Sequence, residues 1–128
     1  DIAQALKFLS STQKKKAIVF VISDFMSEDY EHTLKIASKK HDITGIRVYD
    51  IREQKMPNIG MVPMIDAETG ETQLVDTSSK TVRFNYEKYY NDQLVYFKET
   101  FSKSGAGVVN TRVDESYVTK LLGYFKSR

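Results

Sequence analysis

The 128-residue chain has no cysteine and no tryptophan, only two prolines, six glycines and two histidines. Without cysteine there is neither a disulfide scaffold nor a thiolate zinc site, which fits a reducing, cytoplasmic compartment. No apolar run approaches the roughly 20 residues of a membrane-spanning helix. No secretory leader pattern is read either, because Asp1 leads straight into helical periodicity. Charge is nearly balanced, with 19 basic and 17 acidic residues. Nucleic acid is therefore not an expected partner, since its recognition needs a clear basic excess on one face. The phosphate-cradling loops GxGxxG and GxxxxGK(S/T) are missing, as are HExxH and the EF-hand loop. His32 and His41 lie among charged neighbours and read as surface residues.

What the chain does contain is enough apolar sequence, 41% of residues, for one domain over 1–128 with a proper core. Its most informative stretch is Ala17-Ile18-Val19-Phe20-Val21-Ile22-Ser23-Asp24-Phe25. The apolar run reads as a strand over Ala17–Asp24, covered on both faces as in a parallel sheet. Ligands of open α/β sheets sit beyond the carboxyl ends of the strands. Asp24 belongs at that mouth, where it either caps the following turn or contacts a hard cation or ligand.

The remaining chain alternates. Ile2, Ala5, Leu6 and Leu9 predict a helix to about residue 12, with Asp1 as its N-cap or in its first turn. Lys14-Lys15-Lys16 is read as a solvated turn. Ser27 is the expected N-cap of a helix to about Lys40, followed by a strand from Ile43 to Asp50. A strand–helix–strand unit of this kind implies a right-handed crossover. Short apolar segments at 61–66 and 73–76 flank Asp66-Ala67-Glu68-Thr69-Gly70-Glu71 and predict a β-hairpin. Ser78 or Ser79 opens the longest helix, to about Ser104. Its stripe of Tyr86, Tyr90, Leu94, Phe97 and Phe101 is read as core packing, not base stacking. Gly105 and Gly107 end it. A strand at Val108–Val113 follows. Asp114 is expected to cap a last helix that turns Val118, Leu121, Leu122 and Phe125 inward. The order predicts an α/β fold: a Rossmann-like, mostly parallel sheet with helices on both faces and a hairpin insertion.

Three acids, Asp24, Asp50 and Asp114, fall at predicted strand ends, with Ser23, Arg52, Glu53 and Glu115 nearby in sequence. An oxygen-rich rim of this kind suits Mg²⁺, which takes one or two carboxylates and several waters. The simpler reading is that Asp50 orders its turn and Asp114 caps its helix. Asp24 then stands alone.

The phrases Ile18–Phe25, Asp29-Tyr30-Glu31, His41-Asp42-Ile43, Arg47–Glu53, Asp66–Gly70, Val75–Ser78 and Asp114–Val118 together resemble the bacterial domain-of-unknown-function family 58. The similarity spans nearly the whole chain. That family in turn resembles von Willebrand factor type A domains, whose sheet top can carry a metal-ion-dependent adhesion site. The resemblance implies a non-catalytic, partner-binding adaptor, with a MoxR-type AAA ATPase as partner in bacterial complex assembly. Asp24 matches the adhesion site's last aspartate, but no Asp-x-Ser-x-Ser is present and the family's threonine would fall before Asp1. Phe25 stands where type A domains often have glycine, and Ser116 replaces an expected proline. The chain thus reads as the C-terminal part of such a domain. It is expected to hold no cofactor itself, with Mg²⁺ reserved for a full-length parent. The expected binding rim is Asp24, then Ser23, then Asp50.

Two further expectations follow. A type A sheet places its first strand beside the one that Ala17–Asp24 matches, so here that edge should be bare and should recruit a second copy to form a homodimer. The rival reading is an Mg²⁺-dependent hydrolase or phosphotransfer module, with Asp24 as metal ligand or nucleophile.

Overall fold

The computed structural model describes residues 1–66 and 69–128. In chain order the elements are α1 (Ile2–Thr12), β1 (Ile18–Ser23), α2 (Glu31–Lys40), β2 (Asp42–Tyr49), a 3₁₀ turn (Ile51–Gln54), β3 (Met61–Ile65), β4 (Thr72–Asp76), α3 (Lys80–Lys103), β5 (Gly107–Arg112) and α4 (Tyr117–Ser127). They form two compact units, residues 1–50 with 93–128, and residues 51–92. The architecture is mixed α/β, as the alternating sequence pattern predicts.

The larger unit is built on a three-stranded parallel sheet in the order β1-β2-β5. Register pairs Val19 with Ile43, Val21 with Gly45, and Gly45 with Val108, so these residues share one face. That inner face packs against α1, α2 and the second part of α3. Its core holds Ile2, Leu6, Phe25, Tyr30, Leu34, Ala37, Ile43, Phe97 and Phe101. Gly45 is required here: an added Cβ would lie 2.5 Å from the ring of Phe101 and 2.9 Å from that of Phe97. The apolar stripe read along α3 is the one that packs, with Phe97 and Phe101 fully buried. The helix ends as expected, with Gly105 at φ 73° and the Ala106 N–H donating to the Phe101 carbonyl at 2.9 Å. Gly107, read as a second terminator, instead begins β5 beneath the hydroxyl of Tyr124.

The outer face differs from expectation. Ile18, Phe20 and Ile22 are 69%, 44% and 68% exposed, so β1 is not covered on both sides. The cause is the position of α4. Its Tyr124 hydroxyl reaches Thr44 of β2 at 3.0 Å and closes over Gly107 of β5. Phe125 reaches β1, edge-on to Phe20 at 5.8 Å between ring centres. Val118, Leu122 and Phe125, read as inward, are therefore exposed, while Leu121 and Tyr124 are half-buried.

Caps also move. Asp1 accepts from the Gln4 N–H at 3.2 Å and caps α1 as read. Ser27 does not cap α2, which begins after Tyr30 with no side-chain cap. Asp114 does not cap α4; it pairs with Arg112 at 3.1 Å, and Ser116 holds the N-cap position without a side-chain bond. His41 is buried, not on the surface. Its Nδ1 accepts from the Ala17 N–H at 3.0 Å and ties the entry of β1 to the end of α2.

The smaller unit carries the antiparallel hairpin β3–β4, in which Met61 faces Asp76 and Ile65 faces Thr72. Gly70 takes the positive φ expected of it, 74°; Ala67 and Glu68 of the predicted turn lie outside the described residues. Buried Thr77 anchors this unit: its hydroxyl donates to the Gly60 carbonyl at 2.6 Å and accepts from the Ile59 N–H at 2.9 Å. The first turn of α3 is capped by Ser79, one of the two serines read there, whose Oγ accepts from the Val82 N–H at 3.3 Å.

Two measurements test this packing. Gly45→Ala should destabilise the protein by about 1–3 kcal/mol through overpacking, read as a lower urea midpoint. Tyr30 is fully buried and its hydroxyl has no hydrogen-bond partner among the described residues. Burial, with neighbouring Tyr96, raises its phenol well above the ordinary value. An unfolded tyrosine ionises near pH 10, so the folded chain retains a proton that the unfolded chain loses. That contribution is complete below about pH 10 and is lost as pH rises further. Tyr30→Phe should leave neutral-pH stability unchanged or higher, because an unsatisfied hydroxyl is removed, and should flatten the alkaline decline in urea melts.

Candidate functional site

Because β1, β2 and β5 run parallel, Ser23, Tyr49 and Arg112 end them on the same side of the sheet. Asp24 leaves β1 there, exposed to solvent. The turn that carries it is held by its own side chains. Ser23 Oγ accepts from the Phe25 N–H and Asp24 Oδ1 from the Met26 N–H, each at 3.0 Å. Asp24 therefore orders the following turn, one of the two roles read for it, and is exposed at the strand mouth.

Phe25 has φ 57°, a left-handed conformation that bulky residues rarely adopt. Its ring stacks on Phe97 at 4.1 Å and meets Phe101 edge-on at 5.3 Å. Where a glycine would turn freely, this chain turns because an aromatic anchor holds it. The signal was present in the sequence as an aromatic directly after the acid, but only packing shows that its ring points inward.

The other predicted rim residues are less open. Asp50 follows β2 and is half-buried. Ser23 sits in register with Arg47, so Asp24 falls opposite Val48 and Asp50 lies two residues further on. These two carboxylates are thus staggered along the strands. Asp114 and Glu115 both engage Arg112, at 3.1 and 3.2 Å, and Lys120 adds a contact to Glu115 at 3.9 Å. The rim is consequently mixed in charge, not a bare acidic edge. Arg52 and Glu53 belong to the smaller unit.

Residues the sequence reading passed over also gather at this end. Ser23, Arg47 and Asn110 lie side by side across the three strands on the inner face. Arg47 is buried, donates to Asn110 Oδ1 at 3.3 Å and lays its guanidinium over the Tyr49 ring at 4.4 Å. From α3, buried Gln93 donates to Glu28 at 2.7 Å. Period-two polarity at Arg47 and Tyr49 was the available clue. On the outer face, a cavity of about 290 Å³ lies among Ile22, Val48, Val109, Tyr117 and Leu121, with Arg112 and Glu115 at its border.

For a cation, Ser23 and Asp24 offer one hydroxyl and one carboxylate. Among the described residues no group of three or more His, Cys, Asp or Glu side chains could hold a metal ion. No chemical step is assigned to a metal here. Among the described residues, no helix is long and apolar enough to cross a membrane. The geometry makes Phe25→Ala a sharp test: it should cost about 3–5 kcal/mol in chemical denaturation and release the Asp24 turn, read as faster amide exchange at Met26.

An uncharacterized protein of Mycobacterium avium, MAV169, is 27% identical over the whole chain, which covers 76% of it. The uncharacterized protein Rv1480 of Mycobacterium tuberculosis is 22% identical, and the chain spans 40% of its length. Among solved structures, the conserved hypothetical protein BatB from Bacteroides thetaiotaomicron aligns with 98% of this chain and 57% of its own, at 16% identity and a TM-score of 0.39. The family described as "Protein of unknown function DUF58" matches residues 1–96, three quarters of the sequence, and the chain belongs to that family.

Proposed function

We propose that the chain is a non-catalytic protein-interaction domain, an adaptor of the von Willebrand factor type A kind, whose rim at Asp24 and Ser23 contacts a protein partner. The observation that carries this reading is an exposed carboxylate at the end of a parallel strand, on a turn anchored in the core by Phe25. A rigidly presented acid with open apolar surface nearby is suited to docking: charge fixes orientation and apolar area supplies affinity. The strand order β1-β2-β5 supports the type A comparison, because it corresponds to one half of a doubly wound sheet. The partner we favour is a MoxR-type AAA ATPase, with the domain acting in the cytoplasm. Asp50, staggered from Asp24 and half-buried, is assigned the smaller share.

Metal assistance is assigned to the full-length parent, where further donors complete a Mg²⁺ shell around Asp24. Asp24→Asn preserves the oxygen that accepts from the Met26 N–H while removing the charge. In the full-length protein this variant should weaken partner binding about tenfold, or 1.4 kcal/mol, in calorimetric titration with the ATPase, with thermal stability unchanged. Unaltered affinity would remove Asp24 from the interface. Phosphoester turnover that vanishes in Asp24→Asn would replace the adaptor reading with the hydrolase one.

A further inference from the structure

The charge that nearly balances along the sequence does not balance in space. Because β1, β2 and β5 are parallel, the segments that lead into them meet at one end of the larger unit, with the carboxyl ends of α1, α2 and α3. Lys14, Lys15 and Lys16 precede β1, Lys39 and Lys40 close α2 just before β2, and Lys103 closes α3 before β5. The last turn of α4 joins them, since Arg128 donates to Asp42 at the start of β2 at 2.6 Å, and it brings Lys126. The Lys14–Lys16 turn is held against the end of α2 by two bonds of 3.0 Å, from the Ala17 N–H to His41 and from the Asp42 N–H to the Ala17 carbonyl. In these segments seven lysines and Arg128 stand with one acid, Asp42, which Arg128 engages. Six of the lysines are exposed and Lys40 is half-buried. At the other end of the sheet, the turn from Asp24 to Glu31 carries four acids and neither lysine nor arginine. Neighbouring strand entries lie about 4.8 Å apart, inside the roughly 8 Å over which charges act at physiological ionic strength. The lysine fields therefore add.

We propose that this basic end docks on an anionic phospholipid bilayer. The kind of charge present decides between lipid and nucleic acid. Lysine is a compact, hydrated charge on a flexible stem, which suits a diffuse layer of headgroups. Nucleic acid is better met by arginine forks, stacked aromatics and helix amino termini aimed at phosphate. Here the arginine is taken by Asp42, and all four helices present their carbonyl ends, whose dipoles disfavour a phosphate held at close range. A layer of negative charge attracts the whole end without needing a fixed phosphate. The acidic turn at Asp24–Glu31 is repelled by the same layer. The field therefore orients the domain, with strand entries on the lipid and strand mouths toward water. That orientation leaves the Asp24 rim open to a protein partner, but the docking itself does not rest on the adaptor reading.

Vesicle flotation gives the test. The purified chain should bind vesicles of phosphatidylglycerol and phosphatidylcholine in equal parts at least about tenfold more tightly than vesicles of phosphatidylcholine alone. Raising the salt from about 0.1 M to about 0.5 M should abolish that difference. Lys14→Gln, Lys15→Gln and Lys16→Gln together should lower binding at least about tenfold, with circular dichroism unchanged because all three side chains are exposed. Lys7→Gln, Lys35→Gln and Lys120→Gln together remove the same charge from exposed sites set back from this end, and should bind as the parent does. A duplex oligonucleotide at the same phosphate concentration should not release the chain from the vesicles. Equal binding to both vesicle types, salt-insensitive binding, an unaffected Lys14–Lys16 variant or an equal loss in the Lys7 set would each overturn the proposal. Release by the duplex would overturn it in favour of nucleic acid. No arm of the test reads the Asp24 rim, so failure here is separable from failure of the adaptor reading.

Discussion

The contact on which most of this structure depends is the stack of Phe25 on Phe97 and Phe101. It joins three things that are far apart in sequence: the end of β1, the last turns of the longest helix and the small residue at the centre of β2. Holding a phenylalanine at positive φ costs about 1–3 kcal/mol. Burying its ring returns about 1.5–3 kcal/mol, and each well-placed aromatic pair adds about 0.5–1.5 kcal/mol. Packing therefore wins over backbone preference. Gly45 belongs to the same arrangement, since the two helix rings occupy the volume that any side chain at that position would need.

This arrangement links core to surface. Because Phe25 is pinned, Ser23 and Asp24 can bond the backbone immediately after them, and the carboxylate is presented from a fixed base. Behind it, Arg47 and Asn110 make a polar layer inside the sheet's carboxyl end, with the guanidinium resting on Tyr49. A site built on strand ends and a buried aromatic anchor is better suited to orienting a partner than one carried on a free loop. The same end of the sheet also shows why counting acids misleads: Asp114 and Glu115 are engaged by an arginine of their own strand and turn.

The sheet itself is satisfied on one side only. Among the described residues, its inner face is closed by three helices, whereas its outer face is closed by one, set over β2 and β5. Among the described residues, Ile18, Phe20 and Ile22 of β1 therefore stay exposed on that face.

The sequence alone determined the element types and their order, because periodicity of two or 3.6 and local caps are properties of neighbouring residues. Asp1 at the first helix, Ser79 at the third, Gly105 and Gly70 at positive φ, and the buried stripe through Phe97 and Phe101 were all legible for that reason. It also placed Asp24 at a strand mouth. Only the tertiary structure decided which apolar residues are buried, since that depends on where α4 lies, not on how apolar Ile18, Ile22 or Leu122 are. The burial of His41, the redirected roles of Asp114 and Gly107, and the inward turn of Phe25 were likewise settled by partners brought from distant positions. Local spacing encodes which shapes the chain can take; the contacts between those shapes decide which surfaces are left for others.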